Sequence, residues 1–140
     1  MARVVYPGLL NFPQRELTHR QMTTADGTFA PGSMLYFELK GRGGNQKAAA
    51  EAAERFVDHV AEKFYAITLA VSLGQIKTLI ENPFSMTHAV VPEEEKLRCG
   101  LQPGCTRPSL RLEDWHDIIA DREDALKVVW PEGQGWGAAS

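Results

Sequence analysis

Cysteine is scarce in this sequence, and no hydrophobic run is long. Two cysteines, Cys99 and Cys105, stand among 140 residues. That is too few for a disulfide-stapled scaffold. Both fall in a stretch that reads as polar loop, so free thiols in a cytoplasmic protein are expected. No uncharged apolar run approaches the roughly 18 residues needed to span a bilayer, and Met1-Ala2-Arg3 leads into no signal-peptide core. A membrane partner is therefore not expected. An excess of positive charge is missing as well. Fifteen basic residues against 18 acidic ones give a formal net charge of −3, without the basic face that nucleic-acid binding usually requires. His19, His59, His88 and His116 do not combine with the cysteines at zinc-ligand spacing. Gly41-Arg42-Gly43-Gly44 follows a strand pattern but lacks a phosphate-loop fingerprint, and no nucleophile elbow is present.

What is present is ordinary for one globular domain: 44% hydrophobic and 24% charged residues, enough for a core of its own. Val4-Val5-Tyr6 is a short extended piece before a Pro-Gly turn. Gln14 to Met22 predicts a short surface helix, with only Leu17 and Met22 as large apolar residues. Met34 to Lys40 alternates, Leu35, Phe37 and Leu39 against Tyr36, Glu38 and Lys40, as a half-buried strand does. Asn45 can cap a helix from Lys47 to about Tyr65, with Ala49, Ala53, Phe56, Val57, Val60 and Phe64 as its apolar stripe and Glu51–Arg55 as an outer i,i+4 pair. Ala66 to Gly74 reads as a strand with Ile67, Leu69, Val71 and Leu73 on one face, and Gln75 to Ile80 as a short helix. Pro92-Glu93-Glu94-Glu95-Lys96 starts another helix with acids in its first turn. Thr106 to Leu112 is a strand. Glu113 to Trp130 is the last helix, its stripe of Trp115, Ile118, Ile119, Ala125 and Leu126 interrupted by Arg122.

This order of elements predicts an α+β fold, a small antiparallel or mixed sheet with helices on one face. By motif alone, nothing more specific follows.

A resemblance over nearly the whole chain goes further. Tyr6-Pro7-Gly8, Pro13-Gln14, Arg20-Gln21-Met22 and Gly32 to Gly41 come first. The most specific blocks are Leu69-Ala70-Val71-Ser72-Leu73-Gly74, Thr78-Leu79-Ile80-Glu81, Pro83 and Ser85-Met86-Thr87-His88. Pro92-Glu93-Glu94, Gly100 and Leu112-Glu113-Asp114 follow. In this order they resemble the C-terminal domain of the Cys/Met-metabolism (trans-sulfuration) family of pyridoxal-phosphate (PLP) enzymes, which includes methionine γ-lyases, cystathionine γ-synthases and O-acetylhomoserine sulfhydrylases. The resemblance implies the small C-terminal domain of fold-type I PLP enzymes. It divides the chain into residues 1–22, a linker and short helix leaving a PLP domain; residues 23–130, the small domain; and residues 131–140, a disordered tail.

In that family a large domain holds PLP through a lysine, and the small domain closes the pocket for a sulfur amino acid. Carried over, Arg107 matches the arginine that binds the substrate α-carboxylate. Ser72 and Leu73 match pocket residues beside the cofactor lysine, and Val71 a position where relatives specialised for cystathionine carry an acid. Taken alone, Arg107 would be an exposed strand arginine and Ser72 a plain strand serine. Thr87-His88 reads as ordering a loop.

The pattern also departs from the family. Pro108-Ser109-Leu110-Arg111 stands where a Leu-Ser-Val-Gly run is usual, so Pro108 predicts an edge strand or bulge, and Arg111 shares a strand face with Arg107 and Ser109. Lys40, Lys47, Lys63, Lys77, Lys96 and Lys127 all read as solvated. The chain alone is thus expected to hold no PLP and to be inactive, a part of a carbon–sulfur lyase or γ-replacement enzyme that associates with itself or with a PLP domain. The alternative is an autonomous, non-catalytic binding or assembly module derived from that domain.

Overall fold

The computed structural model describes residues 1–64 and 66–131. A five-stranded mixed sheet runs in the order β1-β2-β5-β4-β3, formed by β1 (Arg3–Val5), β2 (Tyr36–Glu38), β3 (Ile67–Leu69), β4 (Thr78–Glu81) and β5 (Cys105–Ser109). All neighbours are antiparallel except β3 and β4. The helices are α1 (Arg15–Gln21), α2 (Gln46–Lys63), α3 (Glu93–Arg98) and α4 (Trp115–Val129). The expected α+β fold is what forms. The tail expected to be disordered, from residue 132 onward, and the expected end of the long helix at Tyr65 lie outside the described residues.

Helix α2 starts where its cap dictates. The Asn45 side chain accepts from the Lys47 and Ala48 N–H groups at 2.8 and 3.3 Å, satisfying two donors that have no partner inside the helix. Its stripe of Ala53, Phe56, Val57 and Val60 is buried against the sheet residues Phe37, Leu39, Ile67 and Ile80. Phe37 and Phe56 meet edge to face at 5.8 Å, an arrangement aromatic quadrupoles favour. Glu51 and Arg55 both lie on the exposed side of α2, where the Arg55 guanidinium donates to the Val128 carbonyl at 2.6 Å, tying α2 to α4. The C-terminal half of α4, with Ala125, Leu126 and Val129, is buried. Its first turns are not. Trp115 is 62% exposed, against the expectation that it heads a packed stripe.

The region between α2 and β5 departs most from the sequence pattern. The strand expected over 66–74 stops at Leu69, and the helix expected over 75–80 does not form; Thr78–Glu81 is instead an inner strand with every residue buried. The reason is topological. β3 and β4 pair in parallel, Ile67 with Thr78 through Leu69 with Ile80, so the chain must travel back along the sheet between them. Ala70–Lys77 spends its residues on that return, leaving none for a helix. Val71 and Leu73, expected on a strand face, are 53% and 58% exposed.

Pro108 is a second correction. It sits not on an edge but in β5, the middle strand, opposite Ile80 of β4. Leu35 N–H donates to the Pro108 carbonyl at 3.1 Å. The reciprocal bond of that antiparallel pair is the one proline lacks. The ladder continues past the gap: Met34 bridges Ser109, and Leu110 N–H donates to the Ser33 carbonyl at 2.9 Å.

Candidate functional site

Strand alternation sorts the sheet into two chemistries. Phe37, Leu39 and Ile80 face the helices. Tyr36, Glu38, Glu81, Cys105 and Arg107 face the other way. On that second face the segment between β4 and β5 folds back over the sheet. Thr87 hydrogen-bonds Glu81, and the Cys105 thiol contacts Asn82 Oδ1 at 3.5 Å.

Arg107 is held from two sides. Its Nη2 lies 2.8 Å from Oε1 of Glu81 and donates to the Ser72 carbonyl at 2.9 Å. Glu81 is 1% exposed, and burying its carboxylate requires such a partner. Ser72 is brought there by the return of Ala70–Lys77 across this face. Among the described residues Nη1 makes no hydrogen bond and is not sealed off. The guanidinium is thus oriented by one nitrogen while another stays open, an arrangement suited to receiving a carboxylate.

The structure therefore joins Arg107 to the Val71-Ser72-Leu73 loop. The apolar side chains of Val71 and Leu73, with Ile76 at 76% exposure, stand out from that loop into solvent. Arg111 does not share the site. The strand ends at Ser109, and the Arg111 guanidinium turns to Ser33 Oγ at 2.5 Å and the Leu110 carbonyl at 3.2 Å.

Sequence reasoning missed Glu81, which it left just beyond a helix expected over Gln75 to Ile80. The β-branched Thr78 and Ile80 flanking Leu79 carried the strand signal. It also missed Lys96, read as solvated but 8% exposed. Lys96 Nζ donates to the Phe84 carbonyl at 2.9 Å and lies 4.5 Å from the centre of the Phe84 ring, which pins α3 onto the covering segment. His88 bonds the Pro83 carbonyl at 3.2 Å, consistent with a loop-ordering role.

Electrostatics sharpen the picture around the sheet. Burial pushes the Cys105 thiol up to about 11, and that residue lies inside β5 rather than in the polar loop expected of it. Burial also raises the Tyr36 hydroxyl above its ordinary range, where it bridges Gln102 N–H and Glu38. Burial opposes ionisation of Glu113, but the Thr78 hydroxyl and N–H, at 2.6 and 2.8 Å, outweigh it and hold the carboxyl below its usual value.

These residues do not build a seat for PLP. The one buried lysine among those described is committed to a carbonyl and a phenyl ring, whereas a lysine that binds an aldehyde must offer a free amine. What the chain itself supplies on this face is a partly exposed guanidinium held by Glu81 and the Ser72 carbonyl.

A mixed five-stranded sheet with α2 packed on one face and the folded-back β4–β5 segment on the other is the small-domain architecture of fold-type I PLP enzymes. Cystathionine γ-lyase from Lactobacillus plantarum, solved with L-serine, superposes with a TM-score of 0.72 at 31% identity, over 91% of this chain and 29% of that one. Cystathionine γ-synthase from Xanthomonas oryzae pv. oryzae, solved with cystathionine, gives 0.69 at 30% identity, over 91% and 28%. The family model described as Cys/Met metabolism PLP-dependent enzyme matches residues 1–127, and the chain belongs to that family. L-methionine γ-lyase of Pseudomonas putida is 39% identical over 123 residues, covering 88% of this chain and 27% of the relative. Cystathionine γ-lyase of Mus musculus is 38% identical over 129 residues, covering 92% and 28%. The chain thus spans little more than a quarter of the relatives it matches. PLP is the cofactor of the family. Among the described residues no helix is long and apolar enough to cross a membrane.

Proposed function

We propose that these residues form the substrate-side wall of a cytoplasmic PLP-dependent enzyme acting at the carbon–sulfur bond of a sulfur amino acid, with PLP carried by a separate large domain. The observation that carries this reading is Arg107, braced through Nη2 and open at Nη1. A fixed guanidinium binds the α-carboxylate of an amino acid and sets its orientation relative to the cofactor, which supplies the electron sink when bound. Val71, Ser72 and Leu73 line the approach to it. The apolar side chains of this loop are a surface that a neighbouring domain would cover, so the chain pairs with a PLP domain or with itself. By itself it neither binds PLP at a specific lysine nor turns over substrate.

The test is a chimera. Residues 6–127 replace the matching part of Pseudomonas putida L-methionine γ-lyase, with Pro108→Leu and Arg111→Gly as a second version closer to the family pattern. The expected result is lyase activity, stronger in the second version. Arg107→Ala should lower kcat/KM by about 30-fold or more, corresponding to the roughly 2–5 kcal/mol lost when one member of a buried charge pair is removed. Arg107→Lys should rescue only part, since an ammonium lacks the planar fork. An active chimera indifferent to Arg107→Ala refutes the role of Arg107. Chimeras that fold, load cofactor and stay inert favour a non-catalytic assembly module.

A further inference from the structure

On the opposite face of the sheet, away from Arg107, lies a second cavity. It has a volume of about 190 Å³ and opens between the sheet and the first turns of α4, lined by Phe56, Ile67, Ile80, Pro108 and Ile118, with Arg122 among them. Arg122 occupies a core position of α4, four residues from half-buried Ile118 and four from buried Leu126. On the same first turns Trp115 and Ile119 are 62% and 37% exposed, and an arginine stands where the stripe calls for an apolar side chain.

Arg122 has a buried Nε without a hydrogen-bond partner. No ion pair or hydrogen bond engages its guanidinium among the described residues. Its terminal nitrogens are not among the buried atoms without a partner, and apart from Thr78 the residues lining the cavity with it are apolar. Buried cations are normally paired. A cavity of roughly 150 Å³ with such walls accommodates a benzene-sized guest.

We propose that this cavity is a binding site for a small amphipathic monocarboxylate, its aromatic or branched aliphatic tail between α4 and the sheet and its carboxylate on Arg122. The two halves of the ligand match the two halves of the site. The carboxylate supplies the counter-ion and acceptor that the guanidinium lacks, in a charge-assisted, bidentate geometry available to arginine. The tail fills the cavity between the first turns of α4 and the sheet. The site is independent of Arg107 and of the function proposed above.

Phenylacetate serves as the probe and phenylacetamide as its uncharged counterpart, each titrated into the purified chain by calorimetry and by methyl NMR of the isoleucines. Phenylacetate should bind saturably, with a dissociation constant near or below about 1 mM, and phenylacetamide at least about tenfold more weakly. Methyl shifts should concentrate at Ile67, Ile80, Ile118 and Ile119. Arg122→Gln should remove the preference for the carboxylate. Arg122→Leu should abolish binding of both compounds while raising the melting temperature, which separates loss of the site from loss of the fold. Equal affinity for the two compounds, shifts confined to the Arg107 face, or an unchanged carboxylate preference in Arg122→Gln would each overturn the proposal. So would the absence of saturable binding.

Discussion

Glu81 and Arg107 face each other across β4 and β5, their register partners, with carboxylate and guanidinium 2.8 Å apart. The pair is asymmetric: the Glu81 side chain is 2% exposed and that of Arg107 22%. The carboxylate depends on the arginine, and the arginine keeps a face to solvent.

Removing one partner should therefore cost more than removing both. Glu81→Gln is expected to destabilise by about 3 kcal/mol, the lower end of the range for breaking a buried pair because Arg107 is partly exposed. The double variant Glu81→Gln with Arg107→Met should recover part of that loss. Urea denaturation of the two single variants and the double variant gives the coupling directly. Strict additivity would mean that the pair does not hold the sheet face together.

The two cysteines should react very differently. Cys99 is exposed and Cys105 buried, and the Cys105 thiol is pushed up to about 11 by burial. The thiolate is the reactive form. Iodoacetamide near neutral pH should label one site rapidly in the folded protein and two in denaturant, with peptide mass spectrometry placing the first label on Cys99. Equally fast labelling of Cys105 would show that β5 opens readily.

Stability should carry an acid limb from Glu113. Its carboxyl titrates below the ordinary value of 4.5 because Thr78 donates twice to the ionised form. A depressed carboxyl contributes stability that is present above the unfolded value and is lost as pH falls through the folded one. Glu113→Gln should thus cost on the order of 2 kcal/mol near neutral pH, the scale of a hydrogen bond to a charged group. The difference from the parent should shrink as pH drops below about 4.5. Denaturation midpoints across that range check the sign. A gap that stays constant with pH would assign the loss to packing instead.

Gly41 should not accept a side chain. A Cβ there would lie 2.0 Å from the Asn45 carbonyl oxygen and 2.6 Å from the Ala49 nitrogen, both backbone atoms of the first turn of α2, so the turn and the capped helix end must move apart. Gly41→Ala should destabilise by about 2 kcal/mol or more, within the usual span for overpacking, and hydrogen exchange at Lys47 and Ala48 should accelerate. Gly43→Ala meets no atom within 4 Å but must keep φ +61°, so it should cost only the conformational penalty of about 1 kcal/mol.

What the sequence determined by itself was local or ancestral. The Asn45 cap and the stripe through Phe56 and Val60 were legible because a helix repeats its burial every 3.6 residues. The alternation through Leu35, Phe37 and Leu39 was legible for the same kind of reason, and the blocks from Leu69 to Gly74 and from Ser85 to His88 carried the family resemblance from which the role of Arg107 was taken. Tertiary structure decided the rest. It made Thr78–Glu81 an inner strand and set the Ser72 carbonyl against Arg107, because β3 and β4 pair in parallel and the chain between them must recross the sheet, and it placed Pro108 in mid-sheet because β5 lies between β2 and β4. It buried Lys96 on Phe84 and, among the described residues, left the buried Nε of Arg122 without a hydrogen-bond partner. Periodicity reports which side of an element is apolar. Which strand lies beside it, and what crosses its other face, are set by contacts between residues far apart in the chain, and no local pattern records them.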